Sequence, residues 1–191
     1  LYAANAKAFA EGDVHVGGGW ARGGRIILNK EGATFANAFH LAGRGNSHTT
    51  DSAPQKGRLY QNYRKGALSF AKNATVSGPV ELVEETRITA ADEVKGTISG
   101  VVSGDRLQIY KPFADYDAGV VALTAANTYT GGTEVVSATL ELGTGSGAGT
   151  GKVMLDNATL QFANATPVTF ANAIEGTGKV RLCGAGVDFT G

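Results

Sequence analysis

Hydrophobic and polar residues alternate in short segments along most of this chain, and Gly, Asn, Asp or Ser bounds these segments. Alternation with a period of two predicts β-strands whose side chains point in turn toward a core and toward water. Helical periodicity is weak almost everywhere, so the pattern indicates an all-β protein. Strands are predicted at Arg25–Leu28, Ala67–Phe70, Val80–Val83, Thr97–Val102, Arg106–Ile109, Thr139–Leu142, Lys152–Leu155, Thr159–Phe162 and Val180–Leu182.

Strands this short fit a sandwich, a barrel or a solenoid, and internal repetition favours the solenoid. The pentapeptide Thr-Phe-Ala-Asn-Ala occurs at 34–38 and again at 169–173, each time followed by a large apolar residue and then a Gly-x-Gly turn. Asn-Ala-Thr occurs three times, at 73–75, 157–159 and 164–166. In a solenoid each turn buries its inner face only against its neighbours, so like residues recur and stack. We therefore predict a single-domain parallel β-helix, of about eight turns at about 20 to 25 residues per turn, with Phe35 and Phe170 in one core.

Composition and charge narrow the class of protein. The 191 residues are 42% hydrophobic, which suffices for one core, and the 28 glycines suit frequent turns. Seventeen basic and 17 acidic residues cancel, so no general attraction to nucleic acid is expected. Cys183 is the only cysteine, which excludes an intramolecular disulfide and predicts a buried thiol. No run of about 18 apolar residues is present, so we expect no membrane insertion by this segment, and any signal peptide would lie outside it.

One segment carries a family motif. Residues 127–133 read Asn-Thr-Tyr-Thr-Gly-Gly-Thr, within the longer segment Leu123–Val135. This heptapeptide resembles the hallmark of the autotransporter-associated, or passenger-associated, β-strand repeat, and residues 119–178 follow that family's order of strands and bends. Ala125, Ala138 and Ala158 stand where the family commonly has Gly, so those bends demand less of the backbone.

The resemblance implies a right-handed parallel β-helix that is exported across the outer membrane and is secreted or displayed on the bacterial cell surface. It implies no single activity, because such scaffolds carry adhesins, toxins and hydrolases on grafted loops. We therefore expect a β-helical stem of an autotransporter passenger domain that presents loops for adhesion or interaction. The partners expected are an extracellular or host protein or a glycan, together with end-to-end self-association through unpaired turns at the ends of the stem.

The segment at about 44–66 breaks the strand rhythm and is predicted to be a loop insertion that leaves the stem. It interleaves basic and aromatic residues, and the candidate ligand-binding residues are Arg58, Tyr60, Tyr63 and Arg64. Guanidinium groups bind anions bidentately and aromatic rings stack on apolar surfaces, a combination suited to glycan or protein recognition. The alternative interpretation is a solvated loop held in place by its two tyrosines. A second candidate loop lies at 110–118.

Acidic residues offer a second function, that of a glycan- or mucin-directed extracellular hydrolase with paired carboxylates. The candidate catalytic residues are Asp51, Glu84, Glu85, Asp92 and Glu93. Neighbouring acids are also common on exposed strands, so the sequence favours a non-enzymatic stem and leaves the enzyme question open.

No cofactor or metal is expected from the sequence. The Gly-rich stretch 143–152 lacks the spacing of a phosphate-binding loop. His15, His40 and His48 show no His-x-x-x-His pairing, so no sequence-local zinc site is predicted. His40 falls in the first repeated segment, where its counterpart in the second is Glu175.

Overall fold

A computed structural model describes residues 1–17, 23–45, 66–111 and 119–191 of the chain. Within these ranges the regular secondary structure consists of β-strands, and no α-helix occurs. The strands are β1 Tyr2–Ala3, β2 Val14–Val16, β3 Ile26–Leu28, β4 Ala33–Phe35, β5 Phe39–Gly43, β6 Leu68–Phe70, β7 Ala74–Val76, β8 Val80–Ala90, β9 Lys95–Ile98, β10 Val102–Gly104, β11 Leu107–Tyr110, β12 Val120–Leu123, β13 Thr133–Val136, β14 Thr139–Leu142, β15 Val153–Phe162, β16 Val168–Phe170, β17 Ile174–Leu182 and β18 Val187–Phe189.

The strands wind into a parallel β-helix with three faces, which we name A, B and C. Face A contains β1, β3, β6, the second half of β8, β11, β13 and the first halves of β15 and β17. Face B contains β4, β7, β9, β12, β14 and the second halves of β15 and β17. Face C contains β2, β5, the first half of β8 and β10, and β16 and β18 form a separate parallel pair. This is the predicted single-domain parallel β-helix, with about seven turns where the sequence predicted about eight.

The core is built from columns of apolar side chains, one from each turn. On face B the strand register aligns one such column through seven turns: Phe35, Val76, Ile98, Leu123, Leu142, Phe162 and Leu182. All but Leu182 are almost completely buried. Burial of each such side chain contributes about 1.5–3 kcal/mol, so the column supplies much of the driving force for winding.

The repeated pentapeptide occupies two different places in this helix. Phe35 ends β4 on face B, whereas Phe170 ends β16, the strand that follows face B in the winding order. Both rings are fully buried in one core cluster, and Phe170 packs edge to face on Phe162 with ring centroids 5.0 Å apart. The predicted shared core is confirmed, but the two copies do not stack directly on each other.

Three local predictions are corrected by the structure. The segment 97–102, predicted as one strand, is divided by a corner between β9 and β10. The strand predicted to end at Val83 continues to Ala90, because β8 turns from face C to face A without leaving the extended conformation. Cys183 is exposed and does not lie in the core, since it follows β17 on a turn whose residues are mostly exposed.

The family-like heptapeptide joins three successive turns. The side chain of Asn127 is buried, and its Oδ1 accepts the backbone N–H of Val102 at 2.7 Å while its Nδ2 donates to the carbonyl of Gly147 at 2.7 Å. Tyr129 is fully buried, and its hydroxyl lies 2.7 Å from Oγ1 of Thr133. The motif therefore takes the place of a face C strand. Its side-chain hydrogen bonds add to backbone bonds that Thr128 and Thr130 donate to the carbonyls of Val102 and Gly104.

Candidate functional site

Several predicted site residues lie outside the described residues: the ligand-binding candidates Arg58, Tyr60, Tyr63 and Arg64, and the candidate acid Asp51. Residues 112–118 of the second predicted loop also lie outside them. The two ends of the first segment are described. The backbone N–H of Gly66 donates to the carbonyl of Arg44 at 3.1 Å, and a side chain at Gly45 would collide with the carbonyl of Gly66. The chain between residues 45 and 66 therefore leaves and rejoins the stem at one point.

An ion-pair network surrounds this point. The guanidinium of Arg44 donates through Nε to Oε1 of Glu85 at 2.7 Å, and Nη1 of Arg106 lies 3.4 Å from Oε2 of the same carboxylate. Nη2 of Arg106 lies 3.6 Å from Oε2 of Glu134. The side chains of Arg44 and Glu85 are each 29% exposed, so the charges attract one another in a partly desolvated setting. The network fixes the base of the predicted loop to face A.

The network continues along the outer side of face A. Arg87, Gln108 and Glu134 are direct neighbours in the strand register and point outward because Ile88, Ile109 and their neighbours fill the core. Gln108 accepts from Nη2 of Arg87 at 3.3 Å and donates through Nε2 to Glu134 at 2.7 Å. Arg87 and Gln108 are 2% and 1% exposed, which is unusual for outward-facing polar residues of a β-helix.

Tyr110 completes this polar surface. The guanidinium carbon of Arg87 lies 3.6 Å from the centre of the Tyr110 ring, a cation–π contact. Partial burial, and then the negative charge of Glu134, raises the pKa of Tyr110 above its ordinary value of 10.0. The phenol donates a hydrogen bond to the carboxylate of Glu134, and this bond also raises its pKa.

The candidate acids are dispersed over the stem. Glu85 is held between Arg44 and Arg106, and Glu84 beside it is exposed. Asp92 and Glu93 are exposed in the turn after β8, where Glu93 has φ of 58°. The strand from Glu85 to Ala90 alone extends about 16 Å at about 3.3 Å per residue, beyond the roughly 5–10 Å that separates two glycosidase carboxylates. Glu84 and Glu85 thus lie at one end of this segment, and Asp92 and Glu93 lie beyond its other end.

A second cluster, on face C, was not identified from the sequence. His15 of β2 lies opposite His40 of β5, and His40 lies opposite Glu81 of β8. The two imidazole rings stack with centroids 4.4 Å apart and planes 6° from parallel. Nδ1 of His40 lies 2.6 Å from Oε2 of Glu81, and Nε2 lies 3.7 Å from Oδ2 of Asp13. We call Asp13, His15, His40 and Glu81 the histidine cluster.

The histidine cluster contains the residue types that bind metal ions. Single ligand atoms of Asp13, His15 and His40 all lie within 4.8 Å of one another. The sequence signal for this arrangement is the spacing of 25 residues between His15 and His40, which matches one turn of a β-helix. A local motif search does not reveal it, because the ligands come from different turns.

Two further results concern membrane-spanning helices and similarity to known proteins. No helix long and apolar enough to cross a membrane occurs among residues 1–17, 23–45, 66–111 and 119–191. No protein-family model, curated protein or solved structure matches this chain.

Proposed function

We propose that this chain is a β-helical stem segment of a secreted or surface-displayed bacterial protein, and that loops on the stem bind an extracellular protein or glycan. The observation that carries the proposal is the heptapeptide 127–133, which resembles the autotransporter-associated repeat and forms a bonded corner of a parallel β-helix. The fold alone is compatible with many functions. The combination of fold and motif favours a passenger segment.

The stem acts as a rigid support in this proposal. Backbone hydrogen bonds between turns and continuous apolar columns give a rod that holds its loops at fixed positions. Gly45 and Gly66 meet on face A, beside Arg44 and Glu85, so residues 46–65 are attached at both ends to an ordered polar surface. Specific binding through Arg58, Tyr60, Tyr63 and Arg64 would start from this anchored base.

Self-association is the second part of the proposal. The last described turn leaves Val180, Leu182 and Phe189 43%, 58% and 44% exposed, and the first leaves Leu1 and Tyr2 even more so. Apolar side chains beside unpaired strands favour contact with another β-edge. Either a neighbouring turn of a longer chain or end-to-end pairing of copies would cover them.

The experiment is surface display of the whole chain and of two shortened variants. The chain is fused between a signal peptide and an autotransporter barrel, and display is measured by protease accessibility on intact cells. We expect display of the whole chain, continued display when a four-residue Gly-Ser linker replaces 46–65, and loss of display when 119–178 is deleted. Failure of the whole chain to appear on the cell surface would contradict the passenger assignment.

Binding is measured on the same cells with an array of glycans and extracellular-matrix proteins. We expect saturable binding that the 46–65 replacement removes and that Glu84→Ala, a change of an exposed stem residue, leaves unaltered. Equal binding by the chain with and without 46–65 would contradict the role of this loop, while leaving the display result as the independent test of the stem.

A further inference from the structure

We propose that Asp13, His15 and His40 form a binding site for a divalent transition-metal ion such as Zn²⁺, with Glu81 orienting His40. Two imidazole nitrogens and one carboxylate oxygen are a common set of protein ligands for zinc when a fourth position is open to water or another ligand. The three ligand atoms lie within 4.8 Å of one another across two adjacent strands of face C and the turn before them.

Glu81 determines which nitrogen of His40 faces the proposed ion. The distance of 2.6 Å between Nδ1 of His40 and Oε2 of Glu81 is a hydrogen bond, and a carboxylate has no proton to donate, so Nδ1 is the donor. In the neutral imidazole the lone pair is then on Nε2, which is the nitrogen beside Asp13. A carboxylate that holds the far nitrogen of a metal-binding histidine is the usual outer support of such ligands.

When His40 is neutral, its Nε2 and Oδ2 of Asp13 face each other as two acceptors. They lie 3.7 Å apart, and two ligand atoms on one tetrahedral zinc ion lie about 3.3 Å apart, given bonds of about 2.0–2.1 Å. A cation between them removes the repulsion of the two lone pairs with a shift of a few tenths of an ångström. The side chain of Asp13 is 60% exposed, which leaves it free to make that shift.

His15 needs a larger adjustment. Parallel rings 4.4 Å apart do not direct their lone pairs at one point, so His15 must rotate about its Cβ–Cγ bond to share an ion with His40. His15 is exposed, whereas its neighbours Val14 and Val16 are buried, so the ring can turn while the strand stays in place. The ion would then link β2 to β5 through side chains as well as through the backbone.

The chemistry of the ligands selects the class of ion. Imidazole nitrogen suits Zn²⁺, Cu²⁺ and Ni²⁺, whereas Mg²⁺ and Ca²⁺ prefer sites made wholly of oxygen and need more ligands than this cluster supplies. We therefore expect Zn²⁺ to bind and Mg²⁺ at the same concentration not to compete.

The test is a zinc titration of the untagged chain after removal of metal with a chelator. We expect one Zn²⁺ per chain, by calorimetry and by metal analysis after dialysis, with affinity lowered at least tenfold in His15→Ala and His40→Ala. Glu81→Gln should lower the affinity about tenfold or more, because the outer partner of a ligand typically contributes 10–100-fold. Glu175→Gln is the matched control, since Glu175 occupies the position of His40 in the second repeated segment.

Two further readouts keep the result specific to this site. Zinc X-ray absorption should show two imidazoles and no sulfur, and zinc should raise the thermal midpoint of the wild-type chain but not that of His40→Ala. His15, Glu81 and Glu175 are exposed and His40 is partly exposed, so all variants are expected to fold, and circular dichroism verifies this. Three results would each overturn the proposal. The first is the absence of saturable binding below 100 µM zinc, on the order of 10⁻⁴ M, the weak end of ordinary metal sites. The others are undiminished binding by both histidine variants and loss of binding in His48→Ala alone.

Discussion

Asn37 and Asn172 make the same pair of hydrogen bonds at two different corners of the β-helix. The side-chain amide of Asn37 donates to the carbonyls of Ala10 and Gly12 at 3.1 and 2.8 Å. That of Asn172 donates to the carbonyls of Gly149 and Gly151 at 3.1 and 2.5 Å. The repeated pentapeptide thus attaches a corner to the preceding turn at both places where it occurs.

Replacement of either asparagine tests this corner. Asn172→Ala should lower the free energy of unfolding by about 2 kcal/mol, because it removes two hydrogen bonds to carbonyls at a partly buried corner. Asn37→Ala should cost less, about 1 kcal/mol, since its corner is open to water. Urea unfolding measures both, with Asn29→Ala at an exposed position as the control. Equal stability of all three variants would show that the repeat has no fastening role.

The buried pair Tyr129 and Thr133 gives an asymmetric prediction. Oγ1 of Thr133 donates to the carbonyl of Ala148 at 3.3 Å, so the tyrosine hydroxyl donates to Oγ1. Tyr129→Phe should cost about 1 kcal/mol, because the threonine keeps its own acceptor. Thr133→Val should cost about 2–3 kcal/mol, because it leaves a fully buried hydroxyl without an acceptor. Denaturant unfolding of the two variants decides the order, and the reverse order would contradict the assigned donors.

Tyr129 also makes stability depend on pH in the alkaline range. Burial raises the pKa of its phenol well above the ordinary value of 10.0. Above pH 10 the unfolded chain loses this proton while the folded chain keeps it, so the free energy of unfolding should fall by about 1.4 kcal/mol per pH unit from this residue alone.

The slope is measured by urea unfolding at several pH values between 9 and about 11, the interval in which a free phenol ionises. Tyr129→Phe should remove this part of the slope and leave any contribution of Tyr110. Tyr2→Phe, which changes a tyrosine 68% exposed, is the control. Identical slopes for wild type and Tyr129→Phe would mean that the phenol ionises without unfolding the chain.

Gly96 and Phe70 form a close contact between two turns. A Cβ atom on Gly96 would overlap the Phe70 ring, which is 1% exposed and cannot move into water. Gly96→Ala should therefore destabilise the chain by about 1–3 kcal/mol, the usual cost of overpacking a core. Gly12→Ala, where no atom lies within 4 Å of the added carbon, should be close to neutral.

A double mutant separates overpacking from backbone effects. Leu at position 70 leaves room beside Gly96, so Phe70→Leu together with Gly96→Ala should be less destabilised than the sum of the single changes by at least about 1 kcal/mol. Thermal or urea unfolding of the four chains gives this coupling. Simple additivity would show that the cost of Gly96→Ala arises from the backbone and not from the ring.

The amino-acid sequence determined the strands through local alternation, and it indicated the parallel winding and the single core through internal repetition. Inward and outward positions alternate within each strand, as in Thr139–Leu142, whose predicted and observed bounds agree. Asn and Gly mark corners by their own hydrogen bonds and backbone angles. Such signals need no knowledge of what lies on the next turn.

Which outward residues meet was decided only by the tertiary structure. His15 and His40 are 25 residues apart and His40 and Glu81 are 41 apart, yet both pairs are neighbours on face C. The second spacing is longer because residues 46–65 begin and end at the same point of the stem. A shift of one residue in the pairing of β2 with β5, or of β5 with β8, would separate Asp13, His15, His40 and Glu81. The apolar columns, in contrast, tolerate many similar side chains.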